Sequence, residues 1–342
     1  MKIIKTRRNY PLKKLTTMKI GGPAKYFCEV SKETELAEVL KFTQKNNLPV
    51  FILGGGSNVL INDKGFDGLV IFNRIKGIDT KTDGTVTANS GENWDELVQL
   101  CVENNFAGVE CLSGIPGSVG GAVVQNIGAY GQTLEDVVSK VYTLEMPSGK
   151  TKVFSAKECK FAYRNSLFKK SSNKYFVLKV ELKLSPNGRP TTAYPQVKKH
   201  FENKPSPNLA DLRRFIIRLR ASKGYLIMPG YKCYKTAGSF FKNPVISQEQ
   251  FEKIKPIFGD ADLNRFWETP NGIKVAAAYL IEQAGFKKGY QDGKAGISPK
   301  HSLSVINLGN AKASDITGLT EKIKNVVYKK FGVKLDEEIQ YI

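Results

Sequence analysis

The chain has 342 residues, of which 41% are hydrophobic, so it is long enough for two or three folded domains. It contains 52 lysine and arginine residues against 32 acidic ones, a formal net charge of +20. No apolar run reaches the length of a signal-peptide core or a transmembrane helix, which predicts a cytoplasmic protein that does not enter membranes. Five widely spaced cysteines and two histidines, without a Cys-x-x-Cys pair, support neither a disulfide framework nor a metal site.

The first part of the chain has the pattern of a small α/β unit. Residues 31–46 place apolar side chains on one helical face after Ser31, a suitable N-cap. Apolar runs at 50–53 and 69–72 predict buried strands. The first of these strands leads into the glycine cluster Gly54-Gly55-Gly56-Ser57-Asn58.

The middle of the chain alternates predicted strands with one helix. Residues 85–88 have strand character, and Asn93 with Glu96 three residues later predicts the start of a helix. After that helix comes a glycine-rich segment, and further strands are predicted between residues 136 and 185.

A proline-rich basic stretch follows these strands. From Arg189 to Lys242 there are twelve lysine or arginine residues against two acids, Glu202 and Asp211. Three interpretations remain open: a solvated basic face, an electrostatic funnel for a phosphorylated substrate, or a nucleic-acid surface. The prolines after Ser185 suggest that the chain crosses between domains here.

In the last third of the chain, the apolar spacing predicts helices that begin near residues 211, 276 and 316, and strands at 304–307 and 333–342. In the terminal strand, Val333, Leu335, Ile339 and Tyr341 share one face at period two. Glu338 falls on the other face, toward solvent or a cleft.

Seven glycines lie between Gly108 and Gly131. Glycine at this density weakens both helix and strand, so the segment is predicted to be a run of tight turns that brings backbone N–H groups to a ligand. Neither this segment nor Gly54-Gly55-Gly56 has the G-x-G-x-x-G pattern of a Rossmann dinucleotide site. Two such loops predict a large cofactor with several phosphates.

Several motifs together resemble one family. They are ILGGGSNVLINDKGFDGLVI, GENWDELVQLC, SGIPGSVGGAVVQNIGAYG, FAYRNSLFK, AGSFFKNP, AAYLIEQAGFKKG and GVKLDEEIQYI, in this order from about residue 16 to the C-terminus. The combination is similar to the UDP-N-acetylenolpyruvoylglucosamine reductases, flavoenzymes of peptidoglycan precursor synthesis.

The resemblance implies an α+β fold. A two-part FAD-binding module of the vanillyl-alcohol-oxidase (PCMH) type is expected at 1–73 and 74–210. An α+β domain at 211–342 is expected to bind the UDP-sugar, and its C-terminal strand to return to the active site.

The same resemblance implies non-covalent FAD and NADPH as reductant. Covalent flavin attachment is not expected, because neither histidine has a His-x-x-Cys-like context. The residues implied in FAD binding lie in the two glycine segments: Gly54, Gly55, Gly56, Ser57, Asn58, Ser113, Gly114, Ile115, Pro116, Gly117, Gly120, Gly121, Asn126, Gly128, Ala129 and Tyr130.

Three residues match the catalytic positions of the family. Ser239 is implied as the proton donor, Arg164 as the cation at the substrate carboxylate, and Glu338 as the group that assists at the enolate or relays a proton. Reduction of an enolpyruvyl ether develops negative charge next to a carboxylate and then needs a proton, so donors and an acid suit this chemistry. The chain departs from the family at Asn165 and Gln340.

Substrate binding is implied for six residues: Tyr163, Tyr194, Lys223, Asn243, Lys288 and His301. The partner is then a UDP-sugar and the product UDP-N-acetylmuramate, made by a monomer without nucleic acid. Two alternatives remain: a flavin oxidase on the same scaffold acting on an alcohol or sugar, and a basic nucleic-acid-binding protein whose glycine loops are structural. The segment from Gly224 to Thr236 is longer and richer in tyrosine than the family pattern.

Overall fold

The computed structural model describes residues 5–171, 174–258 and 265–342. Outside these ranges lie residues 1–4, the start of the predicted segment 1–73. The described chain divides into two compact units. The first contains residues 5–10, Pro23–Gly56 and Phe66–Tyr231, and the second contains Pro11–Gly22, Ser57–Gly65 and Lys232–Ile342. The three-part division at residues 73 and 210 stays a prediction.

The α-helices of the described chain include one long C-terminal helix and several short ones. They are Leu36–Lys45 (α1), Trp94–Glu103 (α2), Val119–Gln125 (α3), Leu167–Lys170 (α4), Pro195–Phe201 (α5), Leu209–Ser222 (α6), Gln248–Phe258 (α7), Ala277–Gln283 (α8) and Ala313–Phe331 (α9). None of these described helices is both long and apolar enough to cross a membrane.

The strands form several small sheets. They are Arg7–Pro11 (β1), Pro23–Val30 (β2), Val50–Leu53 (β3), Val59–Leu60 (β4), Phe66–Asn73 (β5), Ile78–Thr80 (β6), Thr85–Asn89 (β7), Phe106–Ala107 (β8), Gly128–Ala129 (β9), Gln132–Thr133 (β10), Val138–Glu145 (β11), Thr151–Ser155 (β12), Tyr175–Lys183 (β13), Ser185–Pro186 (β14), Val245–Ile246 (β15), Phe266–Thr269 (β16), Gly272–Val275 (β17), Gln291–Asp292 (β18), Ala295–Ile297 (β19), Val305–Asn307 (β20) and Gln340–Tyr341 (β21).

The first sheet has the order β1-β2-β5-β3, and both β2 and β3 pair with β5 in parallel. Helix α1 packs its apolar face with this sheet through Leu36 and Val39, which are buried with Ile71. This arrangement confirms the predicted α/β unit. The helix begins at Leu36, later than predicted, because residues 33–35 form a 3-10 turn in which the Glu35 side chain accepts from the Ser31 N–H.

The second sheet of the first unit is antiparallel, in the order β12-β11-β13-β7-β6. Helix α2 begins where predicted, because the Asn93 side chain accepts from the N–H groups of Asp95 and Glu96. Its Trp94 is buried in the core of this half.

The glycine-rich segment was predicted to be turns throughout, and this is wrong for α3. Ser118 caps this helix by accepting from the Gly121 N–H. A Cβ on Gly120 would lie 2.9 Å from the Ser90 Cβ, so glycine is present here for close packing as well as for turns. The sequence pattern alone does not separate these two uses.

The part of the basic stretch up to Tyr231 lies in the first unit and contains α5 and α6. The division between the units follows Tyr231 rather than Ser185. Asn208 caps α6, so the helix starts two residues before the predicted position. Leu212 and Ile216 on its apolar face are buried.

The second unit is built around α8 and α9, both predicted. Its sheets have the orders β15-β17-β16 and β18-β19-β20. Ile316, Ile323 and Val327 of α9 are fully buried in the core. The helix ends at Gly332, whose φ of 66° is the left-handed conformation that favours glycine.

The predicted terminal strand at 333–342 is mostly absent. Only Gln340–Tyr341 is a strand, and it pairs in parallel with β4. The predicted faces are still visible, because Val333, Leu335 and Ile339 are buried. Tyr341 breaks the pattern and is 44% exposed, since the preceding residues bond to an irregular segment instead of a continuous ladder.

Candidate active site

The two glycine segments meet in the first unit. A Cβ on Gly54 would lie 2.3 Å from the Ser118 Oγ, and one on Gly55 would lie 2.6 Å from the Gly117 Cα. Such distances leave no room for a side chain. The backbones therefore approach closely, as a site that presents main-chain groups to a large ligand requires. This contact is the observation that fits FAD to these residues.

The remaining cofactor candidates divide between the two units. Gly56, with φ of 63°, ends the part of the first loop that belongs to the first unit. Ser57 and Asn58 belong to the second unit. The other candidates lie on the second glycine segment in the first unit: Ser113, Gly114, Ile115, Pro116, Gly117, Gly120, Gly121, Asn126, Gly128, Ala129 and Tyr130.

Asn126 is a scaffold residue of this segment. It is fully buried, with φ of 49°, and its Nδ2 donates to the Ala162 carbonyl at 3.0 Å while its Oδ1 accepts from the Glu135 N–H at 3.2 Å. The bond to Ala162 joins the glycine segment to the turn on which Arg164 lies.

Arg164 lies in a tight turn closed by two hydrogen bonds between Ala162 and Asn165. Its φ of 54° is left-handed, an uncommon conformation for a residue with a side chain. The guanidinium Nη2 donates to the Gly128 carbonyl at 2.8 Å. The guanidinium carbon lies 5.4 Å from the centre of the Tyr163 ring. The Asn165 Oδ1 accepts from the Ser166 N–H, so it contributes to the turn.

Tyr130, Tyr194 and Lys223 form a cluster in the first unit. The two tyrosine rings are 5.3 Å apart in an edge arrangement, and the Lys223 ammonium lies 5.1 Å from the Tyr130 ring centre. Lys223 also donates to the Gln196 Oε1 at 2.9 Å. One cofactor candidate and two substrate candidates therefore lie together.

Arg220 is next to this cluster and was not predicted. It is only 9% exposed, and its Nε donates to the Gly114 carbonyl at 3.0 Å. Burial lowers the pKa of Arg220, and burial followed by repulsion from Arg220 lowers the pKa of Lys223. Burial raises the pKa of Tyr130 to about 12. A buried arginine beside a half-buried lysine favours an anionic ligand.

In the second unit, the segments that contain Ser239 and Glu338 pair with each other. The Glu338 N–H donates to the Phe240 carbonyl and the Lys242 N–H to the Asp336 carbonyl, each at 2.8 Å. Ser239 precedes Phe240 directly, so the proposed acid and the proposed glutamate lie on paired backbones. Both side chains are partly exposed.

Asn58 holds the terminal segment in place. Its Nδ2 donates to the Glu338 carbonyl at 3.3 Å, and its own carbonyl accepts from the Gln340 N–H at 3.0 Å. Glu337 lies 3.6 Å from the Lys324 ammonium, so this carboxylate has a cationic partner on α9. Burial, and then Glu337, raise the pKa of Tyr341.

The other substrate candidates of the second unit lie in separate places. The Asn243 Oδ1 accepts from the Ala277 N–H at the start of α8, which is a structural use of this amide. Lys288 is exposed in the turn after α8. The Nδ1 of His301 accepts from the Leu303 N–H at 3.2 Å.

Sequence reasoning missed the residues that hold the second glycine segment from outside. Asp95 and Arg220 contact Gly114, and Arg213 binds Asp95, although both arginines lie on α6, more than 100 residues after the residues that they contact. The capping pair Asn93 and Glu96 and the basic stretch were visible, but neither pattern indicates such a contact.

Two family models match the chain. One is described as an FAD binding domain and matches residues 24–155. The other is described as the C-terminal domain of UDP-N-acetylenolpyruvoylglucosamine reductase and matches residues 230–342. The two matched ranges include both glycine segments and the paired segments of the second unit.

Relatives match almost the whole chain. The UDP-N-acetylenolpyruvoylglucosamine reductase of Thermobifida fusca is 38% identical over 346 residues, covering 97% of this chain and 96% of the relative. The protein of the same name from Flavobacterium johnsoniae is 36% identical and covers 98% of both chains. The crystal structure of the Thermus caldophilus UDP-N-acetylenolpyruvylglucosamine reductase matches with a TM-score of 0.68 and 26% identity, over 99% of this chain and 98% of the other.

Proposed function

This chain belongs to the UDP-N-acetylenolpyruvoylglucosamine reductase family, and we propose that it reduces the enolpyruvyl ether of UDP-N-acetylglucosamine enolpyruvate to UDP-N-acetylmuramate, with NADPH as the source of electrons. The single observation that supports this most strongly is the backbone pairing of the Ser239 and Glu338 segments. It brings together the two segments that carry these side chains, in the domain named for this reaction.

FAD is held without a covalent bond by the contact of the two glycine segments, in which Gly54 and Gly55 face Gly117 and Ser118. When bound there, FAD would supply the two-electron chemistry that links NADPH to the alkene of the sugar. The buried charge of Arg220 next to Gly114 suits the negative charge of the cofactor.

Arg164 stabilises the negative charge that develops on the substrate carboxylate. Its planar guanidinium offers paired donors to a planar anion. The bond to the Gly128 carbonyl fixes the direction of the side chain before substrate arrives, so little reorganisation is needed in the transition state. Glu338 assists at the enolate carboxylate or relays a proton.

Ser239 donates the proton to the carbon next to the carboxylate. A hydroxyl is a weak acid, so it can act only on a strongly basic carbanion and with a neighbour that offsets the alkoxide. Lys242 and Asn243, in the same segment, are the residues that can provide this help.

The UDP part of the substrate is bound by Tyr163, Tyr194, Lys223, Asn243, Lys288 and His301. The cluster of Tyr130, Tyr194 and Lys223 supports this role, because it joins an aromatic surface to a half-buried ammonium. The basic stretch then includes an electrostatic site for a phosphorylated substrate.

The nature of the substrate also bears on location and partners. A nucleotide sugar and NADPH are small molecules of the cytoplasm, and we place the enzyme there as a monomer that binds no nucleic acid. The reaction serves peptidoglycan synthesis and hence cell shape and division.

The proposal is tested with the purified protein in the absence of oxygen. We expect a yellow protein that loses its colour with NADPH and regains it when the enolpyruvyl sugar is added. A colourless protein that cannot bind FAD would support a nucleic-acid-binding role. Rapid oxygen consumption with a simple alcohol would support an oxidase.

A further inference from the structure

The backbone N–H and carbonyl of Gly114 each form a hydrogen bond with a side chain. Its N–H donates to the Asp95 Oδ1 at 2.5 Å, and its carbonyl accepts from the Arg220 Nε at 3.0 Å. Its φ is 72°, and a Cβ at this position would lie 2.7 Å from the Leu226 Cδ2. Gly114 therefore has little freedom to move.

Asp95 is in turn held by Arg213 of α6. The two side chains form a bidentate pair, with 2.6 Å from Nη1 to Oδ1 and 2.9 Å from Nη2 to Oδ2. The side chains are only 13% and 15% exposed for Arg213 and Asp95. Two parallel charge-assisted bonds fix the orientation as well as the distance, and water screens a pair this buried only weakly.

The first turn of α2 holds the glycine segment at a second point. The Trp94 N–H donates to the Gly117 carbonyl at 3.1 Å, one residue before Asp95 binds Gly114. Gly117 is the residue whose Cα faces Gly55 in the first glycine loop. Any shift of Asp95 is thus passed through residues 114–117 to the contact between the two loops.

We propose that the Asp95–Arg213 pair is a positioning device for FAD: it fixes residues 114–117 in the conformation that binds the cofactor. The inference rests on the proposed FAD site, and it adds two residues that act through the loop. It also assigns a task to one arginine of the basic stretch, since Arg213 binds a carboxylate inside the first unit. Ordering the loop before the cofactor arrives reduces the free energy that binding must spend on ordering.

The test measures how tightly the holoenzyme keeps FAD. Holoenzyme is diluted in steps, and the rise in flavin fluorescence gives the dissociation constant. We expect Arg213→Met to weaken FAD binding at least tenfold. Asp95→Asn, which keeps an acceptor for the Gly114 N–H, should have a smaller effect than Asp95→Ala.

Arg214→Met is the matched control. Arg214 is the next residue of α6, and its pair with Asp211 is exposed, with 63% and 38% of the side chains accessible. This variant should keep the wild-type dissociation constant. Equal weakening by both arginine variants would overturn the inference, because it would reflect loss of charge alone.

Arg213→Lys keeps the test decisive if Arg213→Met fails to fold. Lysine retains the charge but cannot form the two parallel bonds, so we expect weaker FAD binding at a nearly unchanged melting temperature. Unchanged FAD binding in a folded Arg213→Lys would overturn the inference. Failure of the wild-type protein to bind FAD would instead overturn the proposed function.

Discussion

The Arg164 guanidinium donates to the Gly128 carbonyl across 36 residues of chain, at 2.8 Å. This bond ties the proposed carboxylate-binding arginine to the segment that also forms the second half of the cofactor site. Asn126 fastens the same two parts through the Ala162 carbonyl. Cofactor loop and substrate-binding arginine are therefore parts of one hydrogen-bonded structure within the first unit.

We predict that Arg164→Met lowers kcat by about 10²–10³, the usual effect of losing one donor to a developing anion. FAD content should not change, because the contact of Gly54 and Gly55 with Gly117 and Ser118 does not involve this side chain, and the Asn126 bond to Ala162 still holds the segment. Steady-state rates and the flavin absorbance of the purified variant check both statements. Lys170→Met, at an exposed position in α4, is the control. A variant that loses FAD together with activity would point to a structural role for Arg164.

Gly55→Ala should abolish FAD binding. The new Cβ would lie 2.6 Å from the Gly117 Cα, a backbone atom that cannot move without shifting the whole segment. Gly318→Ala is the control, because nothing lies within 4 Å of a Cβ at that exposed position in α9. In the control, alanine should raise stability by about 0.5–1 kcal/mol. Flavin absorbance and thermal melting measure the two effects, and a yellow Gly55→Ala protein would contradict the cofactor site.

Affinity for the UDP-sugar should fall as pH rises, and it should fall at a lower pH than if the lysine at the site had an ordinary pKa. Burial and the neighbouring Arg220 lower the pKa of Lys223, and the diphosphate needs the charged form. As pH rises through this lowered pKa, the charged fraction falls and so does affinity. Titrations without NADPH across alkaline pH measure this. Lys223→Met should flatten the curve, whereas exposed Lys199→Met should leave it unchanged; the opposite pattern would remove Lys223 from the substrate site.

One thiol should react quickly in the folded protein. Burial raises the pKa of Cys28, Cys101, Cys111 and Cys159 to about 12, so these thiols stay protonated and covered at pH 8. Cys233 is exposed. Titration with a coloured disulfide reagent should find one fast thiol, absent in Cys233→Ser. A second fast-reacting thiol would mean that the core around one of the four buried cysteines opens to solvent.

The sequence predicts those helices of this chain whose ends follow local rules, such as α2 and α9, but not α3, α4, α5 or α7. Asn93 caps α2 as expected, and Gly332 ends α9. The glycine-rich segment was harder, since Gly120 leaves room for Ser90, thirty residues away, and no local pattern shows that contact. The prediction of the terminal strand was wrong for a similar reason. Residues before Gln340 pair with the irregular segment at Phe240, and no local pattern indicates this pairing.

The candidate site was predictable as residue types but not as contacts. Ser239, Glu338 and Arg164 follow from the family motifs. The bond from Arg164 to Gly128 and the Asp95–Arg213 pair join positions far apart in the chain, and they depend on how the elements pack. The hydrophobic periodicity of a single sequence does not indicate which distant residues come into contact. Arg213 was accordingly counted among the basic residues of a stretch with three possible interpretations.

The central claim is that Ser239 supplies the proton in the second half of the reaction, and anaerobic stopped-flow absorbance of Ser239→Ala tests it most directly. We predict that NADPH reduces the flavin of this variant at nearly the wild-type rate, while reoxidation by the enolpyruvyl sugar slows by orders of magnitude. Equal slowing of both halves, or reoxidation at the wild-type rate, would contradict the account.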